Sequence, residues 1–442
     1  MRLVLIWRNK CEQDGVESRI FPFRKENACS MEIMEKVYES HILPQEVISS
    51  IGAASFHFAA DFTKFQKALM LNVIARYVKH SLEIDSIFMD SEEDGIFIYK
   101  LLYVLSSEAD VKSEYQYQLN LRYLQIGLAP DDPNFMTENN KDVILNADQE
   151  LQLSSVIPLI EDVNLTFIII TDKCCQIIDE ALQNKNNRLK KLSLRYCHVT
   201  DRMLRALSPT ISSLHAVLLT GNNQLTENGY NEMVAQIFQS RVFNLKRFSF
   251  WDCGLNDLML ATLCPLIAML RKVNLSKNIR LTAAGYQFMT EYMLKHPYLK
   301  LRILSLWNCA LTDNMLNALI PLIARLEELN IKKNDKLTEN GYQFMAQQLY
   351  YAKDMKLKKL SLAQNRFSND SLAKLFPLII LLEEVDLRDN EESCSIEAFE
   401  LMANTMVKYA KNIKLRKIVV GGVVKENLKK ILNPRFPNIE IL

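Results

Sequence analysis

The chain has 442 residues, of which 49% are hydrophobic, and it carries 53 basic and 52 acidic side chains. A net charge of +1 gives no reason to expect a nucleic acid or an anionic membrane as partner. No apolar run is long enough to cross a bilayer, since even residues 159–170 are interrupted by Glu161 and Asp162. We therefore expect neither nucleic-acid binding nor membrane insertion.

The N-terminal part of the chain is predicted to be a small, mainly helical module. The apolar run within Arg2–Trp7 is too short for a signal-peptide core and predicts a strand. Apolar residues spaced by three and four predict helices at Met31–Ser40 and Phe62–Ser81. We assign residues 1–115, including the apolar runs of residues 84–107, to this module, which either caps the repeats that follow or docks a partner.

A repeat with a period of 56 residues organises the second part, residues 116–442. One series of segments starts at Leu189, Leu245, Leu301 and Leu357, and a second starts at Leu214, Leu270, Leu326 and Leu382. Units of 25 and 31 residues therefore alternate, and each follows the pattern L-x-x-L-x-L-x-x-N/C of the leucine-rich repeat. The alternating leucines predict a short strand with one buried face, which only stacking against neighbouring units can bury completely.

The remainder of each unit predicts a turn followed by a helix. The ninth position holds Asn or Cys, which we expect to bond or fill the buried turn, and a Thr, Asn or Ser cap follows. Each short unit carries a proline, such as Pro321, that predicts an early end or a kink of its helix. In the long units, Gly285, Tyr286, Met289 and their equivalents predict close helix-to-strand packing and a filled core rather than a ligand pocket.

This alternation of two unit types resembles the ribonuclease-inhibitor-like class of leucine-rich-repeat proteins over about residues 121–442. The resemblance implies an α/β solenoid with a curved parallel sheet and helices on its convex side. It also implies binding of a protein partner more than catalysis. The sequence holds no phosphate-binding loop, nucleophile elbow or zinc-protease motif, so we expect no enzymatic activity, no cofactor and no metal site.

Two functional interpretations stay open at this point. The first is a protein-interaction scaffold, with a bacterial effector secreted into a host cytosol as one setting, because such repeats without an enzyme domain are common there. The second is a substrate adaptor of a ubiquitin ligase, because Leu43–Ile48 resembles the opening of an F-box. In both cases the nine cysteines suit free thiols in a reducing compartment, so we expect a cytoplasmic location.

The partner surface is predicted on the concave face of the sheet, centred on Trp251 and Trp307 at the seventh position of their units. The third, fifth and seventh positions alternate with buried leucines and should point outward, where exposed tryptophans beside basic residues are typical of a binding hot spot. Glu384, Asp386 and Asp389 predict an acidic C-terminal end, whereas the basic centre predicts a partner with an acidic patch. The predicted partner-binding residues are Lys191, Arg195, Tyr196, Arg247, Trp251, Asp252, Lys272, Trp307, Asn308 and Lys332.

Overall fold

A computed structural model describes residues 2–8, 53–59, 83–89, 123–126, 143–145, 147–183, 187–408 and 413–442. The chain divides into two compact units, an N-terminal unit (Met1–Asn222 with Gln236–Asn244) and a C-terminal unit (Asn223–Ala235 with Leu245–Leu442). In both units short parallel strands alternate with helices, so the predicted leucine-rich-repeat solenoid is confirmed.

The N-terminal unit is built on one sheet with a small second sheet beside it. Its strands are β1 (Arg2–Arg8), β2 (Ala53–Ala59), β3 (Glu83–Met89), β4 (Tyr123–Ile126), β5 (Val143–Ile144), β6 (Asp162–Thr166), β7 (Ile168–Ile169), β8 (Lys191–Arg195) and β9 (Ala216–Leu218). β1 pairs antiparallel with β2, and β2, β3, β4, β6, β8 and β9 follow in that order as parallel neighbours. β5 and β7 form the separate parallel pair. Its helices are α1 (Ala147–Val156), α2 (Asp172–Leu182) and α3 (Asp201–Ile211), with a 3-10 helix at Ile157–Leu159.

Parallel strands extend further toward the N-terminus than the repeat pattern indicates. The strand predicted at Arg2–Trp7 is confirmed, and residues 53–59 form a strand where helical structure was expected. The alternation Ser55-Phe-His-Phe58 has the period of two that favours a strand over a helix. The helices predicted at 31–40 and 62–81 and the F-box-like hexapeptide Leu43–Ile48 lie outside the described residues, so the module over residues 1–115 stays a prediction.

The C-terminal unit contains the regular repeats that start at Leu245 and beyond. Its strands, all parallel neighbours in chain order, are β10 (Arg247–Ser249), β11 (Lys272–Asn274), β12 (Ile303–Ser305), β13 (Glu328–Asn330), β14 (Lys359–Ser361), β15 (Glu384–Asp386), β16 (Lys417–Val419) and β17 (Glu440–Ile441). Its helices are α5 (Asp257–Met269), α6 (Ala283–Lys295), α7 (Asp313–Ile323), α8 (Glu339–Tyr350), α9 (Asn369–Ile379), α10 (Ile396–Lys408) and α11 (Gly422–Leu432). A further helix, α4 (Glu227–Gln239), has residues in both units.

The core is made by the residues that the repeat pattern indicates. Leu304 and Leu306, the two alternating leucines of one strand, are completely buried, and Phe250 is buried in the same way. Tyr286 and Met289 of α6 are also fully inaccessible, which confirms that these positions fill the core. Burying a leucine side chain stabilises the fold by about 1.5–3 kcal/mol, so the repeated leucines are the main source of stability.

The ninth-position asparagines satisfy the backbone of the buried turn, as predicted. Asn334 Oδ1 accepts from the amide nitrogens of Cys309 and Leu311, both at 3.0 Å. Its Nδ2 donates to the carbonyl oxygens of Leu306 and Ile331 at 2.9 and 2.8 Å. Cys309 occupies the same template position one unit earlier, where burial raises the pKa of its thiol to about 11. The asparagine thus bonds backbone groups of two successive units at once.

The helix N-termini carry an interlock between short and long units that the sequence did not reveal. Asp257, the first residue of α5, accepts from Thr282 N at 2.9 Å and from Thr282 Oγ1 at 2.5 Å. A Cβ added at Gly285 would overlap Asp257 Oδ1, so the glycine makes room for this carboxylate. The atoms nearest to the glycine thus belong to the first residue of a neighbouring helix rather than to a strand. The same contacts recur between Asp313 and Thr338 one period later.

The proline predicted to end or kink the short-unit helix lies inside the last turns of that helix. Pro209, Pro321 and Pro377 each stand two residues before the helix end, and Pro265 stands four residues before it. Proline removes one backbone donor and limits further propagation. The helix consequently ends within about one turn, and the chain returns to the next strand.

Candidate protein-binding surface

The strand face that does not carry the buried leucines ends in a left-handed residue in each unit. The eighth position has a positive φ in Asp252 (56°), Lys277 (60°), Asn308 (51°) and Lys333 (57°). Its amide nitrogen donates to the seventh-position carbonyl of the next unit, for example Asp252 N to Ser276 O at 3.0 Å. The predicted site residues Asp252 and Asn308 therefore occupy a fixed turn directly beside the seventh-position side chains.

Trp251 and Trp307 contact each other, although they lie two strands apart. Their ring centroids are 5.8 Å apart with an interplanar angle of 48°. Both residues are half-buried, and neither indole N–H has an acceptor among the described residues. A buried donor without a partner costs about 1–3 kcal/mol, so the position of each indole N–H is unfavourable for stability.

The small residue between the tryptophans makes their contact possible. Ser276 occupies the seventh position of the intervening unit and is 1% exposed. Its Oγ accepts from Trp307 N at 3.0 Å and lies 2.9 Å from Ser305 Oγ. Thr220 and Ala363, which occupy the seventh position of other units, are buried like Ser276, so the seventh position is not exposed in every unit.

Two lysines that sequence reasoning missed lie over the tryptophan rings. Lys277 Nζ is 5.4 Å from the centroid of the Trp251 ring, and Lys333 Nζ is 5.8 Å from that of Trp307. Lys277 also forms an ion pair with Asp252 at 3.3 Å. Cations at these distances are attracted to the ring faces. Both occupy the eighth position of the unit after each tryptophan, so aligning that position across the repeats would have found them.

Three further predicted residues add positive charge around the pair. Arg247 and Lys272 are aligned partners on β10 and β11, and Lys332 follows β13. Arg247 is exposed, and Lys272 and Lys332 are half-buried. In the part of the chain that the structure describes, none of these three cations has a carboxylate within ion-pair distance. We call Arg247, Trp251, Lys272, Trp307, Lys332 and Lys333 the tryptophan surface.

Two of the carboxylates predicted to make the C-terminal end of the same face acidic, Glu384 and Asp386, form ion pairs within the chain. Glu384 lies between Lys359 at 2.8 Å and Lys417 at 3.6 Å. The hydrogen bond from Lys359 lowers the pKa of Glu384 and raises that of Lys359. Arg388 donates to both oxygens of Asp386, each at 2.9 Å. Glu384 is neutralised because the parallel register aligns residues 359, 384 and 417, whereas Asp386 is neutralised by Arg388 two residues further along the chain.

The three predicted residues of the N-terminal unit make contacts of their own. Lys191 Nζ lies 2.7 Å from Asp162 Oδ2, and Arg195 Nε donates to Ser193 Oγ at 3.1 Å. Tyr196 stacks on Phe167 with ring centroids 5.0 Å apart. A Cβ at Gly221, whose φ is +74°, would overlap the Tyr196 ring, so the tyrosine covers that turn. Lys191 is therefore neutralised locally, unlike the cations of the tryptophan surface.

Other chemistry that the described residues could carry is limited. The cysteines at 174, 175, 197, 253, 264, 309 and 394 are free and buried, and burial raises the pKa of Cys264 to about 12. The described ranges hold no group of three His, Cys, Asp or Glu side chains placed to bind a metal ion. None of the helices within them is both long and apolar enough to span a bilayer.

Comparison with known proteins identifies related repeats. The ribonuclease inhibitor of Mus musculus is 27% identical over 186 residues, which cover 40% of this chain and 40% of that protein. The ribonuclease inhibitor of Sus scrofa is 25% identical over 201 residues, covering 44% and 43%. The chain thus matches about two fifths of the length of these curated relatives. No family model matches the sequence.

Among solved structures, the leucine-rich repeat-containing protein LegL7 from Legionella pneumophila is similar with a TM-score of 0.48 and 14% identity. The match covers 63% of this chain and 89% of that one. The fold, the alternating units and the curated relatives together define the class of the protein. It is a leucine-rich-repeat protein whose repeats are similar to those of the ribonuclease inhibitors.

Proposed function

We propose that the chain is a non-catalytic scaffold that binds a protein partner through the tryptophan surface. The observation that carries this proposal is the Trp251–Trp307 pair, whose rings contact each other, stay partly exposed and each lie under a lysine. Tryptophan and arginine dominate binding hot spots because they place large, rigid contact areas beside directed donors. The curated relatives are named as inhibitors of ribonuclease, a protein ligand, which supports a protein partner here.

The charge of the surface supports an acidic partner. At the third, fifth, seventh and eighth positions from β10 to β13, five side chains are basic (Arg247, Lys272, Lys277, Lys332 and Lys333) and two are acidic (Asp252 and Glu328). Complementary charge accelerates association and makes it sensitive to salt. We expect the association rate with the partner to fall as ionic strength rises.

Substitution of both tryptophans tests the proposal. Trp251→Ala with Trp307→Ala should weaken partner capture by at least about tenfold, as expected for the loss of a hot spot. Phe344→Ala with Tyr298→Ala is the matched control, because these aromatic residues are exposed in the C-terminal unit but lie outside the tryptophan surface. Equal capture by the tryptophan variant and the wild type would place the partner elsewhere.

The setting of this function is a further part of the proposal. Buried free thiols support action in a reducing cytoplasm, and a host cytosol reached by secretion from a bacterium is one such place. The alternative, an adaptor of a ubiquitin ligase, depends on Leu43–Ile48 in the sequence. Ile48→Asp in the full chain tests it, since a docking helix loses its apolar contact while the tryptophan surface is unchanged. Wild-type protein that fails to bind the ligase adaptor removes this alternative.

A further inference from the structure

The tryptophan surface has its free cations at two ends rather than in one cluster. Arg247 and Lys272 occupy the third position of their repeat units, at the start of β10 and β11. Lys332 and Lys333 occupy the seventh and eighth positions of the unit that contains β13. The seventh position lies four residues after the third, roughly 13 Å at about 3.3 Å per residue of extended chain. β11 and β13 are two strand spacings apart, about 10 Å. The two cationic ends are therefore roughly 16 Å apart on the diagonal.

The area between the two ends is uncharged and offers free amide donors. The fifth positions from β10 to β13 are Ser249, Asn274, Ser305 and Asn330. Asn274 Oδ1 accepts from Ser276 N at 3.0 Å, and Asn330 Oδ1 accepts from Lys332 N at 3.0 Å. These bonds hold both carboxamides by their oxygen atoms. Within the described residues neither Nδ2 group has an acceptor.

An extended acidic peptide would supply hydrogen-bond acceptors for the two amide donors and carboxylates for the two cationic ends. Its main-chain carbonyl oxygens are unpaired acceptors, and at about 3.3 Å per residue five residues span roughly 16 Å. One apolar side chain in the middle of such a segment would reach the tryptophan pair. Acidic side chains at its two ends would reach the separated cations.

We infer that the partner presents an extended acidic segment with one apolar residue between two groups of carboxylates. Its carbonyl oxygens accept from Asn274 Nδ2 and Asn330 Nδ2, and its apolar side chain packs on the tryptophan pair. One acidic group meets Arg247 and Lys272, and the other meets Lys332 and Lys333. The segment does not extend over β14 to β16, where Glu384 already pairs with Lys359 and Lys417. This inference rests on the proposed function, because it specifies the ligand of the same surface.

Synthetic peptides test the inference on the full-length protein. The probe is the fluorescein-labelled peptide Glu-Glu-Ser-Leu-Ser-Glu-Glu, with binding followed by fluorescence anisotropy at low salt up to millimolar protein. Replacing the leucine by serine, or all glutamates by glutamine, should weaken binding by about tenfold or more, because each change removes one of the two contact types. Glutamine peptides that bind as tightly as the parent would overturn the inference, and so would the absence of any binding.

Variants of the protein separate recognition from general electrostatics. Lys272→Glu should weaken binding of the parent peptide by about tenfold. Lys417→Glu makes the same change at a lysine that is already paired with Glu384, and it should alter binding less than about twofold. Asn330→Ala should weaken it severalfold, since one donor is lost. Equal losses for Lys272→Glu and Lys417→Glu would contradict the inference. If no peptide binds but a captured partner is lost with Trp251→Ala and Trp307→Ala, the proposed function stands and the extended segment is wrong.

Discussion

Replacing Asn334 by alanine should destabilise the C-terminal unit strongly. The Asn334 side chain is fully buried and accepts from two amide nitrogens, those of Cys309 and Leu311. An N–H group left buried without a partner costs about 1–3 kcal/mol, so the loss of two acceptor contacts predicts about 2–6 kcal/mol. Donation to Leu306 O and Ile331 O is lost as well, and water admitted to the new cavity offsets part of the total.

Asn365 provides a matched control at the equivalent position of a neighbouring unit. Its side chain is also buried, and its Oδ1 accepts from the backbone N–H of Asn334 at 2.7 Å. Asn365→Ala should therefore cost about 1–3 kcal/mol, roughly half as much. Urea unfolding gives the free energies, and hydrogen exchange at residues 309–311 shows whether the predicted amides lose protection. A cost for Asn334→Ala no larger than for Asn365→Ala would refute the reasoning.

Two further predictions concern the interlock at the helix N-termini and the ion pairs of Glu384. Gly285→Ala should lower stability by about 1–3 kcal/mol because its Cβ overlaps Asp257, and Asp257→Ala should relieve most of that cost in a double-mutant cycle of thermal unfolding. Additive costs would show that the overlap does not matter. Lys359 lowers the pKa of Glu384, so the ion pairs of Glu384 stabilise the fold at pH values above the ordinary carboxyl pKa of about 4.3. This stabilisation is lost as the pH falls below that value. Glu384→Gln should lower the free energy of unfolding by about 0.2–1 kcal/mol at neutral pH and leave it unchanged in acid. Glu328→Gln is the control and should lower it less at neutral pH, because Glu328 has no ion pair in the described chain. A loss of stability for Glu384→Gln that does not depend on pH would contradict this assignment.

The repeat period was sufficient to predict the strands, the core and the asparagine turns. Leu304 and Leu306 follow the alternation that any half-buried strand needs, and Asn334 stands where the backbone must be satisfied. These features depend on local spacing, which the sequence displays directly. They are accordingly the features for which sequence and structure agree.

The surface was predicted less completely because it depends on neighbouring units. Alternation indicates to which side Trp251 points, but whether it is covered depends on Ser276 one unit further on. The predicted acidic end proved to be self-paired, since Glu384 aligns with Lys359 and Lys417 across the strands. Aligning the third positions of these units would have revealed that pairing, since Glu384 lies 25 residues after Lys359 and 33 residues before Lys417.

The interlock at the helix N-termini also limits how such an array can change in length during evolution. Asp257 bonds Thr282 and requires Gly285, so a short unit must be followed by a long unit. Loss of a single unit would place Asp257 beside a helix that has Met315 at the position of the glycine. Gain or loss of a complete pair of units, 56 residues, leaves the aspartate of each interlock beside a long unit with its threonine and glycine. Duplications that survive selection should therefore come in pairs, and a duplicated pair would carry its surface residues with it.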